Sequence, residues 1–159
     1  MLDFRQICVE YSKIALPSIN EIVLLLPYYE SVVEVWENLK NNIIGIEKYK
    51  KEGSLILVES TKGYFSLKND FVGIIIMTKM LLERKNKLGK SGVTTISDMG
   101  LFFHNKRISD LIKHEIAVLS SIRNMRTKIF CNYRISDFEL LSAEQKQQIL
   151  NSHTKTIQI

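Results

Sequence analysis

The run Gly89-Lys90-Ser91, inside LGKSG from Leu88 to Gly92, contains the residues with which a nucleotide-binding loop holds phosphate. Such a loop needs GxxxxGKS or GxxxxGKT between a strand and a following helix, so that loop amides and the helix N-terminus converge on the anion. Here the order is reversed. A charged helical segment runs into Leu88, a strand-like segment starts at Val93, and Gly89 lacks the upstream glycine at the required spacing. The run therefore reads as a helix C-cap at Gly89 and a tight turn at Gly92, on the rim of a sheet opposite to that of a nucleotide site. A conventional ATPase is not expected.

The loop where an α/β sheet usually holds phosphate follows the first strand. It reads PYYESV, with neither glycine nor lysine, and Glu30 would repel a polyphosphate. Asp98 closes VTTISD as the acid of a magnesium-organising strand would, but it has no phosphate loop to work with, so a turn or cap role around MGLFF is the simpler reading. Three strand exits could still converge on a ligand: Tyr28 and Tyr29, Glu59 and Ser60, and Asp98 and Met99. Glu115 sits in an apolar helical pattern and needs a donor if buried, so a contact with a loop or another subunit is expected. A general-base role has no visible substrate proton to act on, and no catalytic residue is assigned.

His104, His114 and His153 are far apart in sequence, and Cys8 and Cys131 form no CxxC pair. Neither a disulfide framework nor a metal site is expected, and no motif implies a cofactor. His104 follows the apolar LFF as if on a lid, His114 is expected to face solvent, and Cys131 reads as a small buried apolar residue.

The elements that must position these residues follow from periodicity. Five short apolar segments read as strands: Glu21 to Pro27, Ser54 to Ser60, Val93 to Met99, Thr127 to Tyr133, and a polar-alternating edge from Thr154 to Ile159. Helical patterns lie between them. SVVEVWENLKNNIIGIEKY aligns Val32, Val35, Trp36, Leu39, Ile43 and Ile46, and further helices cover Asn69 to Leu88, RISDLIKHEIAVLSSIRNM, and Ser142 to Asn151 with Ser142 as cap. Apolar strands alternating with helices predict a three-layer αβα sandwich around a mostly parallel five-stranded sheet. Residues 1–20 are expected to form an N-terminal helical extension, with a helix from Phe4 to Ile14 broken by Pro17, ahead of a single domain over 21–159.

With 45% hydrophobic and 25% charged residues in 159, a folded domain is expected rather than disorder. No apolar run is long enough to span a membrane and the N-terminus lacks a secretory apolar region, which predicts a cytoplasmic protein without membrane insertion. The net charge of +5 is dispersed; its densest group, Lys48 to Lys51, falls at a helix end where cations suit the dipole. Nucleic-acid contact has little support beyond that group.

The stretch from SGVTTISDMG onward, with helical Glu115, CNYR ending the fourth strand with its Tyr133, and the late His153, resembles the MEDS domain, a sensory domain of methanogens and methylotrophs related to the KaiC/RecA-like ATPase fold. EIVLLLPYYESVVEVWENL is similar to that family's opening strand and helix. Arg134 stands where the family more usually has aspartate, and no proline follows His153. The resemblance implies a degenerate RecA/KaiC-like core that senses small molecules such as hydrocarbon derivatives. The expected function is noncatalytic recognition of a small molecule or protein partner, with a homo-oligomer as one form of the latter. A ligand would sit beyond Tyr28, Ser60 and Asp98, and Phe102, Phe103 or the helix bearing Glu115 would move; Tyr133 completes the candidate set. An enzyme with an atypical nucleotide or phosphorylated-substrate site around Asp98 and Glu115, and a structural or nucleic-acid-associated subunit, are the alternatives.

Overall fold

The five residues Ile22–Leu26, IVLLL, are all buried. A strand that is apolar on both faces is satisfied only where helices cover both sides of its sheet. In the computed structural model, which describes residues 3–65, 70–122 and 127–155, this strand (β1) lies inside the sheet. It pairs in parallel with β2 (Leu55–Leu57) on one edge and β3 (Val93–Asp98) on the other, and β4 (Thr127–Asn132) pairs in parallel with β3. The order is β2-β1-β3-β4. The register sets Leu25 between Leu57 and Ile96, and brings Ser97 beside Cys131 and Asp98 beside Asn132.

The sheet has four strands among the described residues, whereas the sequence predicts five. Of the expected fifth strand, Thr154 and Lys155 are not in a strand, and 156–159 lie outside the described residues. His153 follows the end of the preceding helix and Thr154 lies in a bend.

Side-chain alternation along the strands divides the interior in two. Ile22, Leu24, Leu26 and Val93 face one core, and Val23, Leu25, Leu55 and Ile96 face the other. The second core is closed by three helices, α1 (Phe4–Ile14), α2 (Val32–Asn42) and α3 (Ile46–Glu52), through Phe4, Cys8, Val9, Val35, Leu39 and Ile46. Trp36 packs on this side, with the Lys50 ammonium 3.9 Å from its ring centroid. The first core is closed by α4 (Ser60–Phe65), α5 (Asp70–Leu88), α6 (Gly100–His104), α7 (Ile108–Ile122) and α9 (Ala143–Ser152), while α8 (Ile135–Glu139) links β4 to α9.

Several helix boundaries have visible local causes. Asp3 accepts the Gln6 amide at the start of α1, and Ser31 with Glu34 and Ser142 with Gln145 form capping boxes at α2 and α9. Helix α1 ends at Ile14 as expected, but the chain passes Pro17 in a π-helical turn, Ala15–Ile19, rather than breaking open. Its residues Ala15 and Leu16 are buried in the second core, so the N-terminal segment is part of that layer. The SVVEVWENL helix also divides: Gly45 at φ 72° separates α2 from α3 and leaves Ile44 in solvent. Short α4, α6 and α8 fall below the length at which periodicity becomes legible.

Gly53 (φ 80°) and Gly89 (φ 64°) both end helices in the left-handed region that disfavours a side chain. They differ in surroundings. A Cβ on Gly89 meets nothing within 4 Å, whereas one on Gly53 would lie 1.5 Å from the Arg84 guanidinium, which donates to the Gly53 carbonyl at 2.8 Å. Gly89→Ala should cost about 1–2 kcal/mol for backbone strain alone, and Gly53→Ala about 1 kcal/mol more through the displaced hydrogen bond. Urea unfolding of both variants checks this; equal losses would show that the Arg84 contact adds nothing.

Candidate functional site

The N-terminal rim of the sheet carries LGKSG. Helix α5 ends at Leu88, the Lys90 amide donates back to the Lys85 carbonyl at 2.9 Å, and β3 opens at Val93. Lys90 Nζ donates to Glu52 Oε1 at 3.0 Å and to Asn20 Oδ1 at 3.1 Å, and the Ser91 hydroxyl donates to the Ile19 carbonyl. These bonds tie the end of α3, the π-helical turn and the start of β3 together, leaving the lysine 11% exposed. On the same rim buried Glu21 accepts from Tyr11 (2.9 Å), Thr94 (2.8 Å) and Lys128 (2.6 Å). Burial pushes Glu21 up, but the hydrogen bonds from Lys128, Thr94 and Tyr11 outweigh it and hold the carboxyl below its ordinary range.

On the opposite rim the chain turns outward in different directions after β1 and β3, which is where open α/β sheets form a ligand crevice. Tyr29 fills it. Asp98 Oδ2 accepts the Tyr29 amide at 3.2 Å and Oδ1 accepts the Gly100 amide at 3.0 Å. The Tyr29 ring lies where a Gly100 side chain would start, 2.1 Å from the ideal Cβ position. Its hydroxyl donates to Asp137 at 2.8 Å, and the Arg134 guanidinium sits 3.7 Å from the ring centroid. Burial raises the Asp98 carboxyl, and the two amides oppose that rise. Glu30 lies 3.6 Å from Arg5 of α1.

The other expected exits are also engaged in the fold. The Ser60 hydroxyl is within 2.7 Å of the Leu26 carbonyl and 2.8 Å of that of Pro27, and Glu59 is on the surface, paired with Lys62 at 3.1 Å. Met99 is buried, with its sulfur accepting from Tyr64 at 3.8 Å. Phe102, expected beside a ligand, is 1% exposed in the first core, and Phe103 meets Tyr133 edge-on at 6.3 Å. Tyr28 packs against Tyr29 and His104, with centroids at 5.2 and 5.9 Å.

A second constellation lies beside this rim, beneath α7 and α9. Leu111, Glu115 and Val118 share the inward stripe of α7, so the stripe that buries two apolar residues also buries a carboxylate. Cys131 points from β4 to the same core as Ile129, Tyr133 follows the strand end, and His153 caps α9. Tyr133 donates its hydroxyl to Glu115 Oε1, the Cys131 sulfur lies within 4.8 Å of the same carboxyl group, and His153 Nε2 lies 3.5 Å from Glu115 Oε2. His153 Nδ1 lies 2.8 Å from the Ile149 carbonyl, which can only accept, so this nitrogen carries the proton and leaves Nε2 facing the carboxyl group. Burial raises Glu115, with His153, Tyr133 and Cys131 opposing; burial and then the Glu115 charge raise Tyr133 and Cys131.

Thus Glu115 and Tyr133 meet, joined by Cys131 and His153, for which spacing gave no site signal. No ligand rule links residues supplied by a helix interior, a strand and a helix end at such separations. An apolar groove of about 420 Å³ between α5 and β2, lined by Ile56, Val58, Met77 and Met80 with Arg84 and Lys87 beside it, includes none of these four. Comparison of the chain with protein-family models, curated proteins and solved structures finds no match.

His114, expected at the surface, is 1% exposed instead. Its ring stacks on Phe102 with centroids 5.7 Å apart and meets Tyr64 edge-on at 5.0 Å, because the α7 stripe is wide enough to face the core at two successive positions. Burial lowers its pKa from 6.5 to about 4. The unfolded chain therefore binds the extra proton in that interval, so this contribution to stability is complete above about pH 6.5 and is lost as pH falls toward 4. The shift corresponds to about 3 kcal/mol. Unfolding free energies measured across this window should fall more steeply in the wild type than in His114→Phe; parallel slopes would contradict a buried neutral imidazole.

Proposed function

We propose that the chain is a noncatalytic sensory or regulatory domain that recognises a small molecule, acting in the cytoplasm. In this reading its core is a degenerate RecA/KaiC-like sandwich. The observation that carries the proposal is the meeting of Glu115, Cys131, Tyr133 and His153 in one partly accessible cluster. These residues belong to the separate pieces on which, with ISDMG and the opening strand and helix, the resemblance to MEDS sensory domains rests. The cluster supplies polar donors and acceptors against the rings of Phe103 and Phe138, a combination suited to a small amphiphilic molecule.

The engaged state of Asp98 and Tyr29 supports recognition over phosphoryl chemistry. Both carboxylate oxygens accept backbone amides, and a tyrosine ring occupies the crevice. A molecule binding at the cluster would compete for the Tyr133–Glu115 and His153–Glu115 contacts. Because these join α7, β4 and the end of α9, occupancy would favour a different setting of the helices and alter the surface offered to a protein partner or a second copy.

The test is a titration of isotope-labelled chain with short-chain alcohols, amines, carboxylates and organohalides, followed by amide chemical shifts. At least one class should give saturable shifts at Glu115, Tyr133 and His153, and Tyr133→Phe should weaken that binding about tenfold through loss of one hydrogen bond. The proposal is overturned if no class shifts these amides saturably, or if Tyr133→Phe binds as the wild type does.

A further inference from the structure

Glu115, Cys131 and His153 present their donor atoms within 4.8 Å of one another. Each is an electron-pair donor with a distinct preference. A thiolate is soft, an imidazole intermediate and a carboxylate hard, a mixture that suits zinc and neighbouring divalent transition ions better than magnesium or calcium.

The arrangement around the donors matches what a bound ion requires of its surroundings. His153 Nδ1–H donates to the Ile149 carbonyl at 2.8 Å, which fixes the tautomer and aims the Nε2 lone pair at Glu115. The Tyr133 hydroxyl occupies Glu115 Oε1, leaving Oε2 as the oxygen nearest His153. Outer hydrogen bonds of this kind orient metal ligands. His153 Nε2 and Glu115 Oε2 face each other at 3.5 Å, and a cation placed between them and Cys131 Sγ would be within reach of all three side chains.

The nitrogen–oxygen distance agrees with this. Bonds of about 2.0–2.2 Å at a tetrahedral angle set nitrogen and oxygen donors about 3.4 Å apart, and Nε2 and Oε2 are 3.5 Å apart. Glu115 is held inside, its side chain 4% exposed, while His153 at 20% provides a route from solvent.

We infer that Glu115 Oε2, Cys131 Sγ and His153 Nε2 form a three-ligand site for a divalent transition ion, zinc above all, with a fourth position available to water or a small exogenous donor. Loading the ion ionises the Cys131 thiol, and its proton, with any proton held on the coordinating Glu115 oxygen or His153 Nε2, leaves to solvent as the three bonds to the metal form. This deepens the sensory reading and rests on its choice of site, since a small molecule bearing nitrogen, sulfur or oxygen could take the fourth position. Metal binding does not require a sensory output.

The experiment uses the full chain, reduced and stripped with a chelator, titrated with cobalt(II) and then zinc. Cobalt should bind stoichiometrically with a near-ultraviolet thiolate charge-transfer band and the strong visible bands of a tetrahedral site, and zinc should displace it. Cys131→Ser should abolish the charge-transfer band while Cys8→Ser retains it, which separates the two thiols of the chain. His153→Gln, at a partly exposed position tolerant of change, should weaken zinc affinity more than about tenfold. Only the weak spectrum of hydrated cobalt with the wild type, a band surviving in Cys131→Ser, or unchanged affinity in His153→Gln would overturn the metal site. Repeating the small-molecule titration with stripped and zinc-loaded protein separates the two ideas: zinc without ligand shifts removes the sensory reading, and ligand shifts without zinc binding remove the metal.

Discussion

The burial of β1 on both faces is the constraint from which the other features descend. Its five apolar residues have no solvent-facing position, and its two edges are paired with β2 and β3. Each face must therefore be covered by helices, and every parallel connection must run the length of the sheet to start the next strand. Loops that enter strands and loops that leave them consequently gather on opposite rims. Strand beginnings receive the Lys90 turn and the Glu21 network, while strand ends receive Asp98, Tyr29 and the residues after β4.

The central crevice of such a sheet usually receives the ligand, but here it is filled by the protein itself. Asp98 orients the backbone of Tyr29, Asp137 holds its hydroxyl and Arg134 covers its ring. The filling moves the accessible polar chemistry sideways, toward the end of β4. There a carboxyl group that costs energy to bury is compensated by a phenol, a thiol and an imidazole. Removing any one donor would leave the others with an unmatched acceptor at their centre.

Much of the scaffold was legible in the sequence because its signals are local. The boundaries of α1, the Ser142 cap and the glycine stop at 89 each depend on a few adjacent residues, and all three lie where the sequence places them. Burial of β1 and β3 was equally readable, whereas β4 leaves Lys128 and Phe130 exposed. The site was only partly so. Glu115 stood out as a charge on an apolar stripe and Tyr133 through a motif, yet Cys131 and His153 look ordinary until the fold closes the distance between β4 and the end of α9. His114 shows the reverse error: a polar residue beside a buried one was assigned to solvent, whereas aromatic neighbours on α4 and α6 accommodate its neutral ring. The short helices were hidden for a physical reason too, since fewer than two turns give periodicity too little length to register.

The position of Trp36 has a practical bearing on observing the molecule. This indole is the sole tryptophan of the chain and packs in the layer across the sheet from Glu115, stacked with an ammonium group. A molecule entering on the far side would have no direct means of quenching its emission. Any optical change on filling the cluster would thus report mechanical communication through the strands, making a single native fluorophore a gauge of whether the two helical layers move as one.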